Sequence, residues 1–140
     1  MTLFRSLALA FAALLALALP ALAQDAPLQI KGATTVNAKE IIDLITKNPD
    51  MVILDNRKAE DFAAGHIEGA VRLIDTDVTP ESLAKAVKAK DVAVLFYCNG
   101  LKCGRAAKAA EKAIELGYSK VYYYALGMEE WNKQVLPVMR

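Results

Sequence analysis

Apolar positions divide the chain into one unbroken hydrophobic run near its start and a patterned remainder. Leu7 to Leu19 (LALAFAALLALAL) is apolar throughout, and Pro20 breaks it. Ala21-Leu22-Ala23 then puts small residues where a signal peptidase reads the chain, so cleavage is expected between Ala23 and Gln24. Residues 1–23 thus read as a removable export signal, with Arg5 as their only charge. The run is short of the roughly 20 residues that span a bilayer, so no stable membrane insertion is expected after cleavage. The expected destination is the periplasm of a Gram-negative source, or secretion otherwise.

The remainder alternates between two periods. Residues 24–35 form an N-terminal extension with a possible edge strand. Asn37-Ala-Lys-Glu40 fits a capping box, followed by Ile41, Ile42, Leu44 and Ile45 on one helical face, and Asn48-Pro49 stops the helix. Val52-Ile-Leu54 is a short buried strand ending at Asp55; Lys58 to Ala64 is a brief helix closed by Gly65. Val71 to Ile74 suggests another strand, and Thr79-Pro80-Glu81 starts a helix predicted to reach about Lys88. Val92 to Tyr97 (VAVLFY) is bulky and apolar enough for a central parallel strand. Arg105 to Leu116 is an Ala-rich helix closed by Gly117, Lys120 to Tyr124 a further strand, and Met128 to Lys133 a last helix. This alternation predicts an α/β fold with a mainly parallel sheet and helices on both faces. In such sheets chemistry sits beyond the carboxyl ends of the strands, which singles out Asp55 and Cys98.

Composition narrows the classes. Without the leader, Lys+Arg falls from 17 to 16 against 16 Asp+Glu, so the 117 remaining residues are formally neutral and suit one domain. Neutrality argues against a nucleic-acid partner or a polybasic membrane-surface protein. Two cysteines are too few to build the fold by disulfides, and one histidine makes a four-ligand metal site untenable.

The loop Cys98-Asn99-Gly100-Leu101-Lys102-Cys103-Gly104-Arg105 joins a strand end to a helix start, where amide N–H groups and the positive helix end converge. A cysteine there is expected to be largely thiolate at neutral pH. Gly100 and Gly104 permit a concave loop, and Lys102 and Arg105 add positive charge for an anionic substrate. A cysteine ending a buried strand is also often just a small apolar residue. A Cys98–Cys103 disulfide is a further alternative, blocking the chemistry if permanent and regulating it if reversible.

These residues resemble the rhodanese (sulfurtransferase) family. The first signature is Ile53-Leu-Asp55-Asn-Arg57, Glu60-Asp-Phe62 and Gly65-His66-Ile67-Glu-Gly69-Ala70; the second runs from Tyr97-Cys98 through Arg105, Ala109-Ala110, Leu116-Gly117-Tyr118 and Val121-Tyr122 to Gly127 and Trp131. The resemblance implies a rhodanese-like three-layer domain over residues 36–140, with no metal and no organic cofactor. It implies Cys98 as the catalytic cysteine that takes up sulfane sulfur as a persulfide, and Arg105 closing the active loop. Asn99, Gly100, Leu101, Lys102, Cys103 and Gly104 would line the substrate site, flanked by Asp55 and Arg57. His66 is expected to be a hydrogen-bonded turn residue, Trp131 and Tyr122 core aromatics, and Asp55 has a plainer reading as a loop-ordering carboxylate paired with Arg57. The family usually places four residues between the cysteine and the arginine and its phosphatase cousins five, whereas six stand here, one of them a second thiol.

The implied activity moves sulfur from thiosulfate or a similar small donor to cyanide, a thiol or a protein cysteine. Cys103 adds a variant, attacking the persulfide to release sulfide. The alternative is a thiol-redox or sulfur-carrier module that uses a reversible Cys98–Cys103 disulfide with a periplasmic partner. A phosphatase reading is weaker, because the loop has no acidic residue to serve as general acid.

Overall fold

A computed structural model describes residues 26–140, and the expected export signal lies outside them. In chain order the elements are β1 (Ala33–Thr35), α1 (Ala38–Lys47), β2 (Val52–Asp55), α2 (Ala59–Ala64), β3 (Val71–Arg72), a single tight turn (Asp75–Asp77), α3 (Pro80–Ala86), β4 (Val94–Tyr97), α4 (Arg105–Glu115), β5 (Val121–Tyr124) and α5 (Gly127–Lys133). The strands form one sheet in the order β1-β5-β4-β2-β3, and every pairing in it is parallel.

Strand alternation builds two cores from the same strands. Leu54, Val94, Phe96, Val121 and Tyr123 face one side, joining Leu83 of α3 and the alanines of α4. Ile53, Leu95, Tyr97 and Tyr124 face the other, joining Ala38 and Ile41 of α1 and Met128 and Trp131 of α5. The result is the three-layer arrangement with helices on both faces. In α4, Ala106, Ala107, Ala109, Ala110 and Ala113 are all buried. Side chains this small let the helix axis lie close to the sheet, with its N-terminus beside the end of β4.

Several expected boundaries move. The capping box at Asn37 forms, with Glu40 N–H donating to Asn37 Oδ1 (3.0 Å) and Asn37 N–H to Glu40 Oε2 (2.8 Å). Ile42 and Ile45 are nevertheless exposed, at 44% and 40%, because α1 buries only the stripe Ala38–Ile41–Leu44. A helical step of about 100° carries Ile42 off that stripe. The helix α3 stops at Ala86, where Val87 turns extended and enters the core. The strand at Val71 lasts two residues before the chain turns at Asp75.

Candidate functional site

The register aligns Asp55 with Tyr97 and Tyr97 with Tyr124, so β2, β4 and β5 end side by side. Beyond these three ends lie Arg57, the Cys98 loop and the start of α5. Alternation along β4 sends Tyr97 toward α1 and α5, and returns Cys98 to the side of Phe96. There it shares a buried cluster with Ala106 and Ala107, in the first turn of α4.

Cys98 is not an open thiolate in this structure. It is joined to Cys103 in a disulfide with the Cα atoms 6.1 Å apart, and its own exposure is 2%. Cys103 is half-buried and held in a turn by its N–H, which donates to Gly100 O (3.0 Å). Of the alternatives the sequence left open for Cys98, a thiolate or a disulfide with Cys103, this structure shows the disulfide.

The Cys98 half of the loop is fixed by α5. Met128 N–H donates to Cys98 O (3.1 Å) and Glu129 N–H to Asn99 O (2.8 Å). Gly127 has φ +55°, and a side chain there would fall onto Cys98 O and lie 2.9 Å from Gly100 N. Gly100 is also crowded, since an added Cβ would come within 2.8 Å of Glu129 Oε2. Gly104, by contrast, has open space around it and no positive φ. Concavity at Gly104 is thus not what its sequence position suggests.

Beneath the loop lies a buried ionic knot. Asp55 is wholly buried and accepts from Arg57 N (3.0 Å), Arg57 Nε (2.9 Å), Arg57 Nη2 (2.6 Å) and Tyr97 Oη (2.5 Å). Tyr97 Oη in turn accepts from Ile67 N–H, and Arg57 Nη2 also donates to Gly65 O (2.7 Å). Burial alone would lower the Arg57 pKa, but the hydrogen bond and charge of Asp55 outweigh it and raise it. Burial, reinforced by the Asp55 charge, pushes the Tyr97 phenol far above the ordinary tyrosine range. Asp55 therefore has its acceptors engaged from within, as the plainer reading of a loop-ordering carboxylate paired with Arg57 expects. Arg57 reaches the loop through Nη1, 3.4 Å from Asn99 Oδ1, and Asn99 Nδ2 continues to Asp61 Oδ2 at 3.3 Å.

Arg105 opens α4, and its partly exposed side chain lies beside Asp75, with Nε 3.5 Å from Asp75 Oδ1. Neither Asp75 nor its buried position was legible as a partner for Arg105 from spacing alone. No side chain caps α4. A cleft of about 290 Å³ opens between Arg57, Asn99, Gly100, Lys102, Met128 and Glu129. Leu101 and Leu126 border a second hollow beside it. The expectations for His66 and Trp131 hold: His66 Nδ1 pairs with Phe62 O (2.9 Å), and Trp131 is buried with Nε1 donating to Pro137 O (2.9 Å). Gly127 and the first amides of α5 carry a role that spacing did not assign; the signal available was a Leu-Gly pair opening a helix directly after a strand.

Compared with known proteins, residues 37–134 match the profile of the Rhodanese-like domain. The chain belongs to the rhodanese-like domain family. Over 102 residues it is 31% identical to the Escherichia coli (strain K12) protein YibN, covering 72% of this chain and 68% of that protein. The rhodanese-like fold recurs in the polysulfide-sulfur transferase homodimer of Wolinella succinogenes (TM-score 0.65, 23% identity, 78% of this chain and 80% of that one). It recurs again in a rhodanese from E. coli solved with anions (TM-score 0.53, 27% identity, 64% and 98%).

Proposed function

We propose that the protein is a sulfurtransferase that carries sulfane sulfur as a persulfide on Cys98. The donor in this reading is thiosulfate or a similar anion; the acceptor is cyanide, a small thiol or a protein cysteine. The observation that carries it is position. Cys98 ends the central strand of a rhodanese-like domain, and its sulfur reaches Cys103, two residues ahead of α4. No side chain caps the first amides of α4, which in this reading leaves them to an anion.

In the reduced protein, the Cys98 thiolate attacks the outer sulfur of thiosulfate. The sulfur–sulfur bond of the donor breaks, sulfite leaves with its electron pair, and Cys98 bears a terminal sulfur anion. Peptide N–H groups and the helix end stabilise that charge, as in an oxyanion hole. Arg105 contributes through its main-chain N–H, its guanidinium being paired with Asp75.

The test is thiosulfate:cyanide turnover after reduction. Wild type is expected to form thiocyanate and Cys98→Ser to form none; full activity in the variant would overturn the reading. In the same reading residues 1–23 direct export, which N-terminal sequencing of the mature protein checks. The disulfide favours a second reading, a thiol-redox or sulfur-carrier module. Mass spectrometry of reduced Cys103→Ser after thiosulfate separates sulfur uptake from a purely redox role, because only sulfur uptake leaves an added sulfur atom on Cys98.

A further inference from the structure

The disulfide is more than a resting state. We infer that Cys103 resolves the Cys98 persulfide when no external acceptor takes its sulfur, so that the protein then releases the sulfur as sulfide and ends as the Cys98–Cys103 disulfide. This rests on the persulfide reading above and adds a product to it.

Three observations on the loop carry the inference. The two sulfurs bond across a turn whose Cα atoms are 6.1 Å apart, so Cys103 reaches the Cys98 sulfur without unfolding any element. Cys98 is 2% exposed while Cys103 is half-buried, so the thiol best placed to meet the inner sulfur is the one already in the loop. The two cysteines are also held by different partners. The carbonyls of Cys98 and Asn99 accept from α5, whereas Leu101 O accepts from Ala26 N–H and Cys103 N–H donates to Gly100 O. Each half of the loop is thus positioned independently, and together they set the two sulfurs within bonding reach. A group oriented within the same molecule reacts at an effective concentration far above that of free thiols.

The step balances as follows. The Cys103 thiolate attacks the inner sulfur, Cys98 Sγ, and the bond between Sγ and the terminal sulfur breaks. The terminal sulfur leaves with the electron pair and takes up the proton given up by Cys103, departing as hydrosulfide. The sulfane sulfur is reduced to sulfide, and the two cysteines are oxidised to the disulfide. Hydrosulfide leaves readily because hydrogen sulfide is more acidic than an alkyl thiol. An external dithiol resets the protein and itself closes to a disulfide. Its first attack falls on Cys103, the more exposed sulfur, and frees the Cys98 thiolate.

The test is a single turnover without added thiol. Wild type, Cys103→Ser and Cys98→Ser are reduced, freed of reductant under inert gas and mixed with thiosulfate. Sulfite, sulfide swept off in the gas stream and intact mass are then measured. Wild type is expected to release sulfite and sulfide in equal amounts and finish lighter by two hydrogens than the reduced chain. The Cys103→Ser protein is expected to release sulfite alone and stay heavier by one sulfur. Wild type that keeps the added sulfur and yields no sulfide overturns the inference while leaving sulfur transfer intact. Absence of sulfite from wild type overturns both.

Discussion

A methyl group at Gly127 has nowhere to go. The position needs positive φ, and the space a Cβ would fill is taken by the Cys98 and Asn99 backbone. Gly127→Ala is therefore expected to push the loop off the start of α5. Urea denaturation should report a loss of about 2 kcal/mol or more, and sulfur uptake by the reduced protein should fall with it. Asp55 invites a different experiment. Asp55→Ala leaves the buried Arg57 guanidinium without its counter-charge, which costs about 3–5 kcal/mol when such a pair is broken. The same unfolding measurement checks it, and a change below about 1 kcal/mol would remove Asp55 from its supporting role.

At the level of elements, the C-terminal end of α5 carries a visible compromise. Val135 has φ +55° and is 89% exposed, in the left-handed position just past the helix, where Leu136 N–H closes back to Trp131 O. A β-branched residue is strained there and gains nothing from burial. Val135→Gly is expected to stabilise the protein by about 1 kcal/mol, read as a higher thermal midpoint. Elements were legible from the chain wherever local chemistry dictated them: the Asn37 and Thr79 caps, the wholly buried β4, the glycine after α4. Legibility ended where distant parts meet. Ile42 looked like core because its packing partners are not in its own segment, and Arg105 looked free because its partner Asp75 is thirty residues away. The pairing of Cys98 with Cys103 was legible as one alternative, but the grip of α5 on the loop depends on β5 lying beside β4, which only the assembled sheet provides.

Across the whole molecule, three tyrosines stand in or beside the two cores with neutral phenols favoured. Burial, with the Glu111 charge adding to it, raises Tyr123 to about 12. Burial aided by Asp55 raises Tyr97 beyond that, and burial aided by Glu130 does the same for Tyr124. Because the folded state holds these protons more tightly, their contribution is complete below the unfolded tyrosine pKa of about 10 and is lost as pH rises above it. Stability is expected to fall by about 1.4 kcal/mol per pH unit for each such tyrosine once that value is passed. Urea midpoints measured at increasing alkaline pH, alongside tyrosinate absorbance, check this. A flat profile would contradict it.

The contact between Gly127 and Cys98 has a bearing on how this loop tolerates length. Residues up to Gly100 are clamped by a neighbouring helix, so an extra residue among them would have to displace that helix as well. From Leu101 to Gly104 the chain is held by other partners: Leu101 O accepts from Ala26 N–H, and Leu101 and Cys103 pack against the core that α4 covers, so a change of length there must re-form those contacts but leaves the clamp on Cys98 and Asn99 in place. The second thiol belongs to that side. Grafting a second thiol onto the loop of a related domain, or trimming one away, is thus a change confined to four residues, with Cys98 left where the sheet put it.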